Sequence, residues 1–370
     1  MPINNLAVDA SRMVTGQRTG TEHYSVEIIR ALAGIDTRPP ITLYTRADHP
    51  TPRVVGTLTK SFGPRRLWTH IGLSRAMYKD KPDALFVPSH VVPLVHPRAT
   101  VATVHDLGYL SESESHPRRQ RLMLKETTQW SVRAARRIIA ISGQTRDDLV
   151  NHCGVNAGKI RVIHHGLDHD RFKPLPPDAT APVLARYDIT PPYLLFVSTV
   201  QPRKNLTRLI EAFESLDDPQ LLLVIAGKSG WLSDPIERRI HDSPAAIRMR
   251  RVGHVPDDDL PALYSAAEVF TFPSLYEGFG MGVIEAMACG TPVLTSNSSS
   301  LAEVAGDAAV LVDPRDVGSI SAGIREARGP ATQQHLRRLG LDHALDFTWE
   351  RSAAETLEVI EEAYRDSHES

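Results

Sequence analysis

Apolar residues along this chain follow two alternating periods. Short β-type runs at Leu6–Asp9, Ile41–Tyr44, Ala84–Val87, Val101–Val104, Ile138–Ile141 and Ile160–Ile163 predict strands. Between them, apolar positions recur at helical spacing in Glu22–Gly34, Leu67–Tyr78, Pro117–Arg137 and Gln144–His152, the last with Ser142 as its predicted cap. Residues Asp168–Pro192 break the rhythm: Pro174, Pro176, Pro177, Pro182, Pro191 and Pro192 fall among few periodic apolar positions, which predicts a linker. The rhythm then restarts. Strands are predicted at Tyr193–Val197, Leu221–Ala226, Met249–Val252, Val269–Phe272, Val293–Thr295 and Ala309–Val312. Helices are predicted at Leu206–Leu216, Asp257–Ala267 with Asp257 as cap, and Val283–Cys289. Three helical patterns, Asp316–Arg328, Thr332–Leu345 and Trp349–Tyr364, finish the chain. Alternation of this kind predicts an α/β protein with parallel, doubly wound sheets. The predicted domains are 1–172, 173–348 and a terminal helical segment, 349–370.

Composition supports two soluble domains. The 370 residues are 41% apolar and 23% charged, enough to bury cores. The net charge of −2 conceals an asymmetry. Residues 1–172 hold 24 Lys and Arg against 15 Asp and Glu, leaving 18 of the 42 basic and 29 of the 44 acidic residues to 173–370. A basic first half suits an anionic acceptor or anionic lipid; solvated faces without a partner are the plain alternative. Cys153 and Cys289 form no C-x-x-C pair, so two free thiols in a reducing compartment are expected. MPINNLAVDASR lacks the basic and apolar regions of a signal peptide, and no apolar run approaches a membrane span, so a cytoplasmic location is expected.

The densest candidate chemistry lies in Val269–Thr295. A strand halted by Pro273 leads into Glu277-Gly278-Phe279-Gly280-Met281-Gly282, a helix closed by Gly290 and Pro292, and a second strand: one βαβ unit. Glycines let backbone amides approach a ligand, and the helix start behind them favours negative charge. Glu277 and Glu285 bracket that site, with Glu285 expected in the first helical turn. Ligands of open α/β sheets bind outside the carboxyl ends of strands. That rule selects His105 with Asp106, the loop Gln201–Asn205, Gly227 with Lys228, His254, and 277–282. Arg203 and Lys204 stand before a helix, where the dipole disfavours cations, so an anion such as a diphosphate accounts for them better than solvent. Glu277 and Glu285 read either as a general acid/base pair, as in a glycosidase, or as anchors for vicinal hydroxyls; Glu285 also reads as a helix-surface carboxylate. His105 reads as a hydroxyl donor or as a structural histidine. His165 and His169 have H-x-x-x-H spacing, but Gly166 and the prolines beyond oppose the helix that would align them. No H-E-x-x-H occurs, so no metal is expected.

These segments carry a resemblance. PSLYEGFGMGVIEAMACGTP, from Pro273, resembles the E-x7-E signature of the retaining glycosyltransferases of family 4, which have the GT-B fold. STVQPRKNLTRLIEAF resembles the family's diphosphate-binding run, and GHVPDDDLPALYSAAEVF the segment around the donor base. TVHDL, SGQTRDDL and HHGLDHDRF resemble loops of the first domain. FTWERSAAETLEVIEEAY resembles the terminal helix. Two departures stand out. The loop Thr15–Thr21 lacks an adjacent Gly-Gly pair, which puts the role of Gly20 in doubt, and His165 stands where the family usually has Asn.

The resemblance implies two Rossmann-like domains facing a central cleft, with the terminal helix crossing back to the first. By the same resemblance, residues 1–172 bind the acceptor and 173–348 the nucleotide sugar. Arg203 and Lys204 would neutralise the departing diphosphate, while Glu277 and the amides of Phe279, Gly280 and Met281 would hold the hexose. Glu285 would accept from the ribose, and His105 would donate near the hexose 6-position. Gly20, Gly227, Lys228, His254, Val255, Gly278 and Gly282 complete the expected donor contacts. Retention of anomeric configuration by a front-face mechanism is implied, with no cofactor and no divalent metal. The likeness is strongest to mannosyl- and hexosyltransferases of polysaccharide and O-antigen assembly, which favours GDP-mannose over UDP-glucose. The acceptor would be a glycan or lipid-linked sugar. The helix Pro117–Arg137, with Arg118, Arg119, Arg121, Lys125, Arg133, Arg136 and Arg137 around Leu122, Met123 and Trp130, offers peripheral contact with the inner membrane face. A surface helix with a buried apolar face is the other reading of that pattern.

Other functions fit less well. A glycogen-type phosphorylase needs a pyridoxal-phosphate lysine and a far longer chain. A nucleotide-sugar epimerase would lack the combination of Arg203-Lys204 with E-x7-E. An NAD-dependent oxidoreductase would place G-x-G-x-x-G after the first strand, whereas this glycine cluster comes late. A non-enzymatic sugar-binding protein usually carries an export signal.

Overall fold

The computed structural model describes residues 2–14, 19–48, 51–63, 67–108 and 118–369, with 118–122 described by backbone alone. Residues 15–18 of the loop Thr15–Thr21, Pro117 and the side chains of Arg118, Arg119, Arg121 and Leu122 lie outside these residues. The described chain forms two compact units. One holds the residues up to Gly166 and those from Thr348 onward; the other is Leu167–Phe347.

In the first unit, strands β1 (Leu6–Asp9), β2 (Ile41–Arg46), β3 (Thr57–Phe62), β4 (Ala84–Val87), β5 (Ala99–Val104), β6 (Arg137–Ala140) and β7 (Ile160–Val162) form one parallel sheet in the order β3-β2-β1-β4-β5-β6-β7. In the second, β8 (Tyr193–Val197), β9 (Leu222–Ala226), β10 (Met249–Gly253), β11 (Val269–Phe272), β12 (Val293–Ser296) and β13 (Ala309–Val312) form a parallel sheet ordered β10-β9-β8-β11-β12-β13. Central strands such as Leu6–Asp9 and Val269–Phe272 are buried at every position, as a sheet covered by helices on both faces requires. Each sheet runs outward from its first strand in both directions. The order therefore reverses between β1 and β4 in one unit and between β8 and β11 in the other. Loops leaving neighbouring strands there diverge and open a crevice.

The terminal helix Trp349–His368 belongs to the first unit, as expected. Its buried face, including Ala353, Val359, Ile360 and Ala363, shares a core with Ile28 and Ile29 of the helix Gly20–Gly34 and with Phe86 of β4. Among the described residues, no helix is long and apolar enough to cross a membrane.

The structure departs from the sequence expectations where polar or proline-rich segments are ordered by packing. Strand β3 was not predicted: it is an edge strand whose exposed face removes the apolar period. The proline-rich stretch contains the helix Pro177–Arg186. Pro177 sits in its first turn, where the missing N–H costs nothing, and Arg186 and Tyr187 at its end bind Asp259 at 2.5 and 2.7 Å. Short helices at Asp234–His241 and Ser299–Ala305 were likewise unpredicted. Asp257 is not a cap: the helix there is Leu260–Ala266, with Asp259 before it. Gly20 is not ahead of its helix but its first residue, after Thr19, whose N–H donates to Glu22 at 2.8 Å.

Candidate active site

Strands β8 and β11 are parallel neighbours, so the segments leaving their carboxyl ends start side by side. After β8, the turn Pro202–Lys204 ends at Asn205, whose φ of 61° is left-handed, and the helix Leu206–Glu214 follows. Asn is among the few non-glycine residues that accept this conformation at low cost. Its amide donates to the carbonyls of Pro273 (2.9 Å) and Pro314 (2.6 Å), clipping the β8 loop to the β11 loop. Leu275 N–H donates to the Arg203 carbonyl at 2.9 Å. The buried Ser274 hydroxyl lies 3.0 Å from that same carbonyl and 2.6 Å from Glu277 Oε1.

This framework brings Arg203, Lys204 and Glu277 together. Lys204 Nζ lies 2.6 Å from Glu277 Oε1, and an Arg203 guanidinium nitrogen 2.9 Å from Oε2. Arg203 also donates to the Tyr276 carbonyl. Burial alone would raise the Glu277 carboxyl, but Arg203, Lys204 and the Ser274 hydroxyl reverse this and bring it down to about 2. Two cations share one carboxylate, so the cluster keeps a surplus positive charge in a desolvated place, the arrangement that a diphosphate needs.

The glycine loop ends at Gly280, where φ is +110° and a Cβ would stand 2.6 Å from Leu301 Cδ2, so any other residue would be strained there. The helix Met281–Ala288 begins there, two residues earlier than predicted. Glu285 therefore lies in the second turn rather than the first. It does not stand as a free surface carboxylate: it is only partly exposed, and Tyr264 Oη donates to its Oε2 at 2.9 Å. Burial pushes the Glu285 carboxyl up to about 7; the tyrosine bond and the Arg171 charge oppose that shift, and Asp257 adds to it. A Cβ on Gly282 would lie 3.3 Å from Tyr264 Oη and 3.1 Å from Phe270, so this glycine leaves room for the Tyr264–Glu285 pair. Gly278 and Phe279 are buried, Phe279 packing edge-on against Phe347 at 5.9 Å, and the Ser300 hydroxyl lies 2.9 Å from the carbonyls of Glu277 and Phe279.

The remaining second-unit candidates sit at the ends of β9 and β10. Gly227 follows β9 with φ +124°, and a Cβ there would lie 1.9 Å from the Ser198 carbonyl oxygen, so it too must be glycine. Lys228 and His254 are exposed, whereas Val255 is buried.

In the first unit, His105 follows β5 at the carboxyl edge. Its Nε2 donates to the Pro88 carbonyl at 2.8 Å, and its ring packs edge-on against Tyr24 at 4.8 Å. Tyr24 also stacks on His165 at 4.8 Å. Burial holds the His105 ring down at about 4, so it is neutral near pH 7. A neutral ring that donates from Nε2 leaves Nδ1 as an acceptor. His105 thus offers a lone pair rather than the proton that was expected of it. His169 does not join His165 as a metal pair: its Nε2 donates to the Phe347 carbonyl at 3.0 Å.

Three contributors escaped the sequence reading. Ser274 stands three residues before Glu277, a spacing that means nothing until the loop folds. Tyr264 reaches Glu285 from another helix. Asn205 is legible in the sequence only as part of the loop before a helix, since its two carbonyl partners are remote in sequence.

Residues 186–329 match the family described as glycosyl transferases group 1, and residues 19–171 match glycosyltransferase family 4. The chain is 33% identical over 262 residues to the O-antigen chain mannosyltransferase B of Escherichia coli, covering 70% of this chain and 68% of that protein. It is 30% identical to a D-inositol 3-phosphate glycosyltransferase of Streptomyces bingchenggensis, covering 95% of this chain and 86% of the relative. In fold it is similar to a sucrose-phosphate synthase from Thermosynechococcus elongatus (TM-score 0.78, 22% identity, 98% and 100% of the two chains). It is also similar in fold to Anabaena HepE in complex with UDP-glucose (TM-score 0.72, 16% identity, 96% and 99%). The chain belongs to the group 1 and family 4 glycosyltransferases and has their GT-B fold.

Proposed function

We propose that this enzyme transfers a hexose from a nucleotide sugar, mannose from GDP-mannose in the first instance, to a glycan or lipid-linked acceptor. The observation that carries the reading is the buried cluster in which Arg203 and Lys204 share Glu277. Its surplus positive charge suits a leaving nucleoside diphosphate. The Glu277 carboxylate, held by both cations, keeps oxygen lone pairs for hexose hydroxyls. Glu285 is assigned to the ribose hydroxyls and His105, as an acceptor, to a hexose hydroxyl near the 6-position. The amides of Gly280 and Met281 at the helix start are assigned to the sugar.

Transfer with retention is part of the proposal. The acceptor oxygen bonds to the anomeric carbon on the face from which the diphosphate leaves. The bond from that carbon to the phosphate oxygen breaks, and the hydroxyl proton passes to the departing phosphate. Arg203 and Lys204 carry the charge that develops there. Neither a cofactor nor a metal enters this scheme.

Mannose is favoured by the Escherichia coli relative, whose name describes an O-antigen mannosyltransferase. UDP-glucose is the second reading, since Anabaena HepE, similar in fold, is described in complex with it. Peripheral membrane contact is supported by the helix Arg118–Ala134, where Met123 is 63% and Trp130 38% exposed on the same helix as the exposed Lys125. Co-sedimentation with anionic liposomes tests that part, and binding indifferent to salt and to lipid charge would remove it.

The decisive experiment is calorimetric titration of the protein with GDP-mannose, UDP-glucose, NAD and free mannose, followed by NMR of the product's anomeric proton. Binding of GDP-mannose above the others and an α-linked product are expected. Binding of NAD or free sugar alone would overturn the proposal, and a β-linked product would overturn retention.

A further inference from the structure

At the edge of the seven-stranded sheet opposite His105, the starts of β5, β6 and β7 open into a hollow of about 770 Å³. Arg98 stands immediately before β5, Arg136 before β6, Arg137 at its first position and Lys159 immediately before β7. Arg133 comes from the last turn of the helix Arg118–Ala134. Parallel strands put all their starts on one edge, which is why residues so far apart in sequence meet here. Because β5 spans six residues, its two ends are about 20 Å apart, so the hollow is remote from His105.

Ordinary structural roles explain part of this cluster. Lys159 Nζ donates to the carbonyls of Val132 (2.5 Å) and Arg133 (3.2 Å) at the end of the helix, where the dipole favours cations. Arg137 pairs with Asp366 of the terminal helix at 2.6 Å and donates to the Gly158 carbonyl at 2.7 Å. These roles leave the charge unbalanced. Among the described residues lining the hollow, Asp366 supplies the one carboxylate against five cations. Arg98 and Arg133 are exposed, and among the described residues no carboxylate pairs with either. Lys159 registers the excess: burial, followed by the Arg136 charge, holds its ammonium below the usual range.

We infer that this hollow is a second anion site, which binds a soluble ligand carrying a diphosphate or two neighbouring phosphate groups. Guanidinium forks match phosphate oxygens in pairs, and several of them converging on one concavity exceed what a single phosphate can use. A lipid headgroup carries the same chemistry. The lining argues for the soluble source, because its apolar members are Ala134 and Ala135, without the large side chains that a membrane-inserting surface presents.

The test is calorimetric titration of the full chain with inorganic pyrophosphate. The Arg203-Lys204 cluster would bind this probe as well, so two sites are expected in the wild type and one in Arg203→Ala/Lys204→Ala. In either background, Arg98→Glu/Arg133→Glu should weaken the second site by about tenfold or more, with a salt-sensitive Kd. Both residues are exposed, and an unchanged melting curve checks that the fold persists. Asp366→Asn works in the opposite direction: removing the lone carboxylate should tighten pyrophosphate binding about threefold. Pyrophosphate binding that ignores Arg98→Glu/Arg133→Glu would overturn the inference. So would binding confined to vesicles containing phosphatidic acid, which would assign the cluster to lipid.

Discussion

Lys204 Nζ lies 2.6 Å from Glu277 Oε1, and both side chains are only 10% exposed. With Arg203 on the other oxygen, one carboxylate balances two cations in a place water hardly reaches. Removing that carboxylate is thus different from removing either cation.

Glu277→Gln should destabilise the protein by about 3 kcal/mol, because it leaves two desolvated cations without their anion. It should also lower kcat sharply while GDP binds at least as tightly as before. Urea denaturation and calorimetry measure the two effects, and unchanged stability would refute the electrostatic account. The pH dependence follows in sign. The folded carboxyl titrates at about 2 against an ordinary 4.5, so its contribution is complete above 4.5 and is lost as pH falls toward 2.

Arg203→Ala and Lys204→Ala should each reduce transfer and weaken nucleoside-diphosphate binding, by at least about tenfold for Arg203 with its forked donors. Steady-state assays beside GDP titrations give the comparison. Near-wild-type behaviour in both variants would remove the diphosphate role.

Glu285 gives the opposite pH signature. Its folded carboxyl is raised to about 7, so between 4.5 and 7 the native state holds a proton that the unfolded state has lost, and stability falls as pH rises through that window. Glu285→Gln should therefore stabilise the unliganded protein above pH 7, by about 3 kcal/mol at most, with little change near pH 4.5. Tyr264→Phe removes the hydrogen bond that favours the ionised form. It should move the pH midpoint of donor binding upward, as a Kd series across pH will show. A midpoint that stays put would separate Tyr264 from the site.

Asn205→Ala should cost about 2 kcal/mol, from two orphaned carbonyls and a left-handed backbone that alanine resists. Asn205→Gly restores the backbone preference but not the hydrogen bonds, so its loss should be smaller. Chemical denaturation of both variants ranks them, and equal losses would show that the φ of 61° contributes nothing.

His105 should not appear in the pH–rate profile near its ordinary 6.5. Burial keeps the folded ring near 4, so it remains neutral as an acceptor through neutral pH. Protonating it costs stability, which is lost as pH falls from 6.5 through 4. His105→Gln should flatten that acid-side loss in thermal melts while lowering kcat/KM. An inflection near 6.5 in the wild type that His105→Gln abolishes would contradict the neutral assignment.

Strand and helix periodicity carried most of the architecture because a parallel sheet buried on both faces must be written as apolar runs. Leu6–Asp9, Ala84–Val87 and Val269–Phe272 were legible for that reason. The edge strand Thr57–Phe62 and the helix Pro177–Arg186 were not, since the first faces solvent along most of its length and the second buries only Thr180 and Leu184 and carries an internal proline. In the candidate site, Arg203, Lys204, Glu277 and Glu285 were picked out by type and place, while their partnerships were hidden.

What the sequence determined by itself was an order of elements, the glycines that only particular backbones need, and the positions of charged groups beside strand ends. What only the tertiary structure decided was which charges meet and in what state. Strand order sets β8 beside β11 and so joins Arg203 and Lys204 to a carboxylate more than seventy residues away. Burial then raises the Glu285 carboxyl to about 7, while Arg203, Lys204 and the Ser274 hydroxyl overcome burial at Glu277, eight positions earlier on the same segment, and bring it to about 2. Periodicity is a local property of the chain, whereas desolvation and Coulombic pairing belong to neighbours that only folding supplies.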